Sequence, residues 1–180
     1  VGPDATVRIP AYTRQLDYEL EWGIFLGKSG VDISESRARD YIGGYTIFND
    51  FSARDIQMKE MTGRLGPTKG KDFDTGNALG PCLVTPDEIP EPHNLTMTAW
   101  VNGREWSRGN SADMHWTFEA MIAYISRSEK LFPGEFIGSG TCSGSQGRGC
   151  GLEMGKKLEA GDVVELGVEG IGVLRNYIGV

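Results

Sequence analysis

The sequence predicts a strand-rich α+β domain with two or three short helices. Three observations carry this. Short runs that alternate apolar and polar residues, or are wholly apolar, recur along the chain between turn signals. Glycine makes up 26 of the 180 residues without any G-x-y period, which suits tight turns and backbone brought close to a ligand. A clear helical period occurs in one segment, where Phe118, Met121, Ile122 and Ile125 fall at i, i+3, i+4 and i+7.

Residues 1–15, polar and carrying Pro3 and Pro10, read as an extended N-terminal lead-in, and residues 16–180 as one domain. The segment 16–27 (LDYELEWGIFLG) starts in strict alternation and becomes apolar, as a strand entering a core does. Ser34 is placed to cap a short helix through Tyr41. Residues 44–50 (GYTIFND) read as a second strand ending on an acid, and 52–61 (SARDIQMKEM) as a helix or helical turn. The glycine-rich polar stretch 62–77 reads as a long functional loop. A short strand follows at 79–84. Residues 95–101 and 104–106 flank Asn102-Gly103, a strong hairpin signal. The helix spans 117–126, a strand spans 135–141, and 162–168 with 171–178 form a last hairpin about Glu169-Gly170.

The length suits one domain with a real core. The formal net charge of −7 argues against a nucleic-acid surface and an anionic membrane surface. It leaves room for an anionic small substrate at a locally positive or metal-loaded site. Cys82, Cys142 and Cys150 form no C-x-x-C pair, and His93 and His115 stand alone, so no zinc pattern is present. Reduced thiols and the lack of a visible signal peptide point to a cytoplasmic protein. The chain begins at Val1, as a processed or partial chain would.

Asp17, Glu19 and Glu21 are spaced i, i+2, i+4, so a strand presents all three on one face, with Leu16, Tyr18, Leu20 and Trp22 on the other. Stacked like charges repel. One resolution is a solvent-facing strand. The other is a bound divalent cation held by carboxylate oxygens, which selects Mg²⁺, Mn²⁺ or Ca²⁺ over zinc. The strand runs on into an apolar stretch, and a second strand ends in Asn49-Asp50.

The motifs DYELE, GGYTIFNDFSARDIQ, GKDFDTGNALGP, the VNG hairpin, FIGSGTCSG and EGIGVLRN occur in that order from Leu16 to the C-terminus. Together they resemble the fumarylacetoacetate hydrolase family. The resemblance implies a catalytic domain folded as a mixed β-roll or sandwich with a few short helices. It implies Mg²⁺, Mn²⁺ or Ca²⁺ as cofactor and oxo or diketo acids as substrates. It makes Glu19, Glu21 and Asp50 metal ligands, with Asp17 outside the E-x-E as a solvated or outer residue. It gives Lys71 an active-site role beside a forming enolate and places Thr75 near the metal. It makes Arg54, Gln57 and Thr141 substrate contacts, and Glu153 the acid of the general-base machinery.

The sequence also departs from the family. Members with that machinery carry a histidine upstream of the E-x-E strand, in a lid segment, and this chain has none before His93. Met61 stands where a substrate-contacting Tyr is frequent. The expected activity is metal-dependent hydrolysis of a C–C bond in a fumarylacetoacetate- or acylpyruvate-like acid. The alternatives are a metal-dependent lyase, either a decarboxylase or a hydratase of 2-oxo acids, and an inactive binding domain. A homodimer is expected from the family and from the aromatic area of Trp100, Trp106 and Trp116, for which core packing is the other reading.

Overall fold

Two hairpins seed the larger sheet of the computed structural model, which describes residues 1–144 and 147–180. β7 (Thr96–Val101) and β8 (Arg104–Asn110) turn at Asn102 and Gly103, whose φ angles of 52° and 72° both lie in the left-handed region. That is the two-residue turn whose twist matches antiparallel strands. β8 runs four residues beyond its expected end at Trp106, because pairing with β7 resumes after a register shift at Ala99/Trp100. β10 (Val163–Val168) and β11 (Gly172–Gly179) form the second hairpin, and β10 also pairs with β7. The lead-in completes this sheet. β1 (Thr6–Arg8) lies parallel to β11, and Val7 is fully buried. The strand order is β1-β11-β10-β7-β8.

The second sheet positions the acidic residues. β3 (Leu20–Leu26) and β4 (Ile42–Asp50) are its antiparallel centre, with β6 (Asn77–Val84) and β9 (Phe136–Gly138) outside them, in the order β6-β4-β3-β9. A minor pair, β2 (Leu16–Asp17) with β5 (Ser52–Ala53), extends it. The acidic run is therefore two strand pieces broken at Tyr18 and Glu19. β10 and β11 pack on β4, and β11 also packs on β6, so the sheets face each other across one core. Trp22 stacks on Tyr45 at 5.3 Å and meets Phe118 edge-on at 4.9 Å. The face predicted as apolar (Leu16, Tyr18, Leu20, Trp22) is buried throughout.

Three helices decorate the sheets: α1 (Glu35–Ala38), α2 (Arg54–Met61) and α3 (Phe118–Ile125). Ser34 precedes α1 but does not cap it. Its hydroxyl pairs with Ser36, and residues 39–41 continue as a 3-10 turn. α3 is capped by Thr117, whose hydroxyl oxygen accepts from Ala120 N at 3.2 Å. Phe118 and Ile122 carry its buried stripe. Ile125, expected in that stripe, is exposed at the frayed end. Strand β9 stops at Gly138 rather than Thr141, because the chain there leaves the ladder to hydrogen-bond a side chain of the site. Among the described residues no helix is long and apolar enough to cross a membrane.

Candidate metal centre

Adjacent strands of a sheet lie about 5 Å apart, and carboxylates facing the same way from neighbours can converge. Glu21 pairs with Phe48 across the β3–β4 ladder, and Leu20 with Asn49, so Asp50 lies diagonally beside Glu19 and Glu21. One oxygen from each of Glu19, Glu21 and Asp50 lies within 4.8 Å of the other two. Asp17, Glu19 and Glu21 are only 1%, 8% and 3% exposed, so the solvent-facing reading of the stripe fails.

Burial decides the electrostatics. Three carboxylates without water would repel strongly, and the structure supplies cations unevenly. Lys71 Nζ lies 2.6 Å from Glu19 Oε2 and 2.7 Å from Asp50 Oδ2. Arg54 Nη1 lies 2.6 Å from Glu19 Oε1. Burial alone would raise the Glu19 pKa, but these two cations outweigh it and hold the group below its ordinary value. Among the described residues no cation contacts Glu21, and its Oε2 accepts from Gly140 N at 3.0 Å. Burial first, then the charges of Glu19 and Asp50, push Glu21 up to about 9. Asp50 is also raised, by burial ahead of the opposing pull of Lys71.

This donor set fits a hard dication. It offers oxygen only and three carboxylates, and Glu21, held in its protonated form by burial and its acidic neighbours, could give up that proton to an ion. Lys71 enters the cage from the 62–76 loop, whose placement rests on close approach. Ala53 N donates to Gly70 O at 2.8 Å, and a Cβ on Gly70 would lie 2.7 Å from Gln57 Cα. The Glu60 carboxylate holds the same stretch, accepting from Thr68 N and Oγ1, Lys69 N and Gly70 N.

The other expected site residues are placed differently. Arg54 is buried, its Nε 2.8 Å from Asp17 Oδ2, with Glu19 Oε1 and Gln57 Oε1 on Nη1. The planar guanidinium bridges the two buried carboxylates, and Gln57 accepts from Arg54, so this pair turns inward toward Asp17 and Glu19. Asp17 is neither solvated nor near the cage in contact terms. It accepts from Arg54 and from three backbone N–H groups. Thr75 turns its hydroxyl to Arg8 N at 2.8 Å, which ties the loop to β1.

Glu153 is exposed, and among the described residues its carboxylate bonds to the neighbouring loop rather than to the cage. Its Oε1 accepts from Ser143 Oγ at 2.7 Å, and its Oε2 from Gly149 N at 2.6 Å and Cys150 N at 3.3 Å. Those residues lie against β3, where Leu20 N donates to Gly149 O and Cys142 N to Leu20 O. Thr141 lines a cavity of about 330 Å³ with Asp113, His115 and Ser139. Gly140 forms part of the same wall, so this cavity adjoins Glu21. Sequence reasoning missed His115 here and the Gly140 N–H, since neither sits in a motif with metal or catalytic spacing.

The aromatic argument for a dimer divides. Trp106 packs near Tyr18 at 6.1 Å and beneath Lys156 at 4.3 Å, and Trp100 lies over Gly167. Only Trp116 of the three is largely exposed, at 62%. All three cysteines are free thiols.

Two facing sheets bring three buried carboxylates and a loop-borne lysine together in a cluster with the donors a divalent cation takes. The family model for the fumarylacetoacetate (FAA) hydrolase C-terminal domain matches residues 1–179. The chain belongs to the fumarylacetoacetate hydrolase family. A Burkholderia lata protein that carries only a provisional hydrolase name is 40% identical over 172 residues, covering 95% of this chain and 59% of that protein. The 2-hydroxyhepta-2,4-diene-1,7-dioate isomerase structure from Mycobacterium marinum is 34% identical with a TM-score of 0.86, covering 99% of this chain and 64% of that one. The fumarylpyruvate hydrolase from Pseudomonas aeruginosa, solved with Mn²⁺ and pyruvate, is 25% identical with a TM-score of 0.87, covering 100% and 73%. The chain thus spans about three-fifths of the length of the curated relative.

Proposed function

We propose that this chain carries the metal-binding catalytic part of an enzyme that hydrolyses a C–C bond in an acylpyruvate- or fumarylacetoacetate-like diketo acid. The observation that carries the reading is the buried cage of Glu19, Glu21 and Asp50 with Lys71 Nζ inside its rim. The similar Pseudomonas aeruginosa hydrolase, solved with Mn²⁺ and pyruvate, supports it. Glu19, Glu21 and Asp50 would hold Mg²⁺, Mn²⁺ or Ca²⁺, all of which take carboxylate oxygens. Bound there, the cation polarises a chelated carbonyl and stabilises enolate charge.

The chain's own groups do the rest. The Lys71 ammonium lies where negative charge develops on the oxo-acid oxygen. Ser139 and Thr141 offer hydroxyls along the adjoining cavity. Glu153 would take a proton from water through Oε1, whose partner, the Ser143 hydroxyl, can rotate away. Water adds to the distal carbonyl, the C–C bond breaks, and its electron pair leaves as the pyruvate enolate. The hydroxyl stays on the released carboxylic acid, and the enolate carbon takes up a proton to give pyruvate.

A second reading is isomerisation or decarboxylation through the same enolate, without attack by water. Two observations favour it: the 34% identical neighbour named as an isomerase, and the engagement of both Glu153 oxygens by the loop. Acylpyruvates of increasing chain length, incubated with Mn²⁺ and assayed for pyruvate and the acid fragment, separate the two readings. Hydrolysis gives both fragments in equal amounts, and isomerisation gives neither. Fragments that appear at full rate with both Glu21→Ala and Asp50→Ala overturn the metal role. The proposal extends to a homodimer, which sedimentation of the metal-loaded chain tests.

A further inference from the structure

Asp17 lies outside the cation cage, yet it is the most thoroughly engaged carboxylate of the acidic run. It is 1% exposed and takes four donors: Arg54 Nε at 2.8 Å, Tyr18 N at 2.9 Å, Gly151 N at 2.8 Å and Leu152 N at 2.9 Å. A Cβ on Gly151 would collide with its Oδ1, so the loop approaches as closely as backbone allows. On one side the Arg54 guanidinium carries the contact onward, with Nη1 2.6 Å from Glu19 Oε1. On the other, the two N–H groups open the 3-10 turn Leu152–Met154, whose Glu153 grips Ser143, Gly149 and Cys150. The segment that ends in Cys150 forms a bridge with Glu19 itself.

We infer that Asp17 is a positioning residue that fixes the Glu19 carboxylate for cation binding through Arg54 and anchors residues 149–153 through the Gly151 and Leu152 N–H groups. This rests on the divalent-cation reading above. The physical reason is conformational. A free glutamate samples several rotamers, and each contact that holds one of them reduces the ordering left for the ion to impose. Glu19 is held at both oxygens, by Arg54 at Oε1 and Lys71 at Oε2. Arg54 in turn is held by Asp17. Outer-shell carboxylates of this kind commonly change metal affinity by about 10–100-fold when altered.

Mn²⁺ affinity and the EPR line shape of bound Mn²⁺ test this on the full chain, with thermal melting as a separate readout. Asp17→Asn is expected to weaken Mn²⁺ about 10–100-fold and to broaden the spectrum. Asp17→Glu keeps the charge but shifts the oxygens, and is expected to weaken binding as well. Wild-type affinity in Asp17→Glu assigns the effect to charge alone and overturns the positioning role. A lower melting temperature with unchanged affinity and line shape in Asp17→Asn also overturns it. Where Asp17→Asn does not fold, Arg54→Lys decides. An ammonium cannot span Asp17 and Glu19, so weaker Mn²⁺ binding is expected and unchanged binding overturns the inference. Failure of the wild-type chain to bind Mn²⁺ is a distinct result that removes the metal reading and this inference with it.

Discussion

The two ends of the acidic run meet opposite fates. At Asp17 and Glu19 each carboxylate has a cation in contact, Arg54 for the first and Arg54 with Lys71 for the second. At Glu21, two residues on, no cation is in contact among the described residues, and a backbone N–H from Gly140 stands there instead. Burial is similar at both ends, so the difference lies in the partners. A buried carboxylate without a counter-charge takes up a proton or binds an ion. The structure thus separates an end whose carboxylates share cations, Asp17 and Glu19, from an end at Glu21 that has a backbone donor in their place.

Removing a carboxylate at or beside the Glu21 end gives the largest effect. Glu21→Ala and Asp50→Ala are each expected to weaken Mn²⁺ by at least about 100-fold, beyond the range of an outer-shell change. Calorimetric titration reads this, and near-wild-type affinity would erase the contrast. Without metal the Asp50→Ala variant is expected to melt lower, because it leaves Lys71 with one carboxylate fewer.

Lys71 sharpens the comparison, since it contacts Glu19 yet also reaches Asp50. Lys71→Met is expected to reduce turnover of a cleaved acylpyruvate by about 10²–10³, the scale of a lost oxyanion donor. Mn²⁺ affinity is expected to stay level or tighten, because a competing cation leaves the cage. Parallel loss of both would mean that Lys71 serves only to build the site.

A change in the loop that delivers Lys71 comes next. Gly70→Ala puts a methyl against Gln57 Cα and is expected to cost about 1–3 kcal/mol of stability, the range for overpacking. Thermal or denaturant melts check it, and an unchanged midpoint would show that the loop yields freely.

The smallest effect is the pH slope of the metal-free chain. Glu21 has its folded pKa near 9 against 4.5 ordinarily, so the folded state holds the extra proton between those values. Stability is therefore full below about pH 4.5 for this group and falls as pH rises toward 9. Asp50, also raised, adds to the slope in the same sense. The melting temperature is expected to fall across that window without metal, and Glu21→Gln is expected to flatten it. An equal slope in the variant would place the proton elsewhere.

Much of this was legible in the chain. The alternation at 16–22 fixes which side chains turn inward, because side-chain direction in a strand has a period of two. Asn102-Gly103 fixes a hairpin, because both positions need a positive φ. The order of motifs gave the family and Glu19, Glu21 and Asp50. Helix ends were less legible: Ser34 is a good capping residue by type, but its hydroxyl pairs locally with Ser36.

Other features were decided only by tertiary contact. That the acidic face is buried depends on residues 138–142 and 149–150 laid beside β3, far away in sequence. That Arg54 turns inward to Asp17 and Glu19 rather than outward depends on α2 starting directly under β2, and no spacing rule encodes it. Glu153 clamping a loop, Thr75 binding Arg8 and residues 1–15 entering a sheet are all contacts between distant segments. Local sequence sets the period and the turns, whose energies involve near neighbours. The partner of a buried charge is set by which distant group the folded chain brings within about 3 Å, and that distance exists only once the sheets have packed.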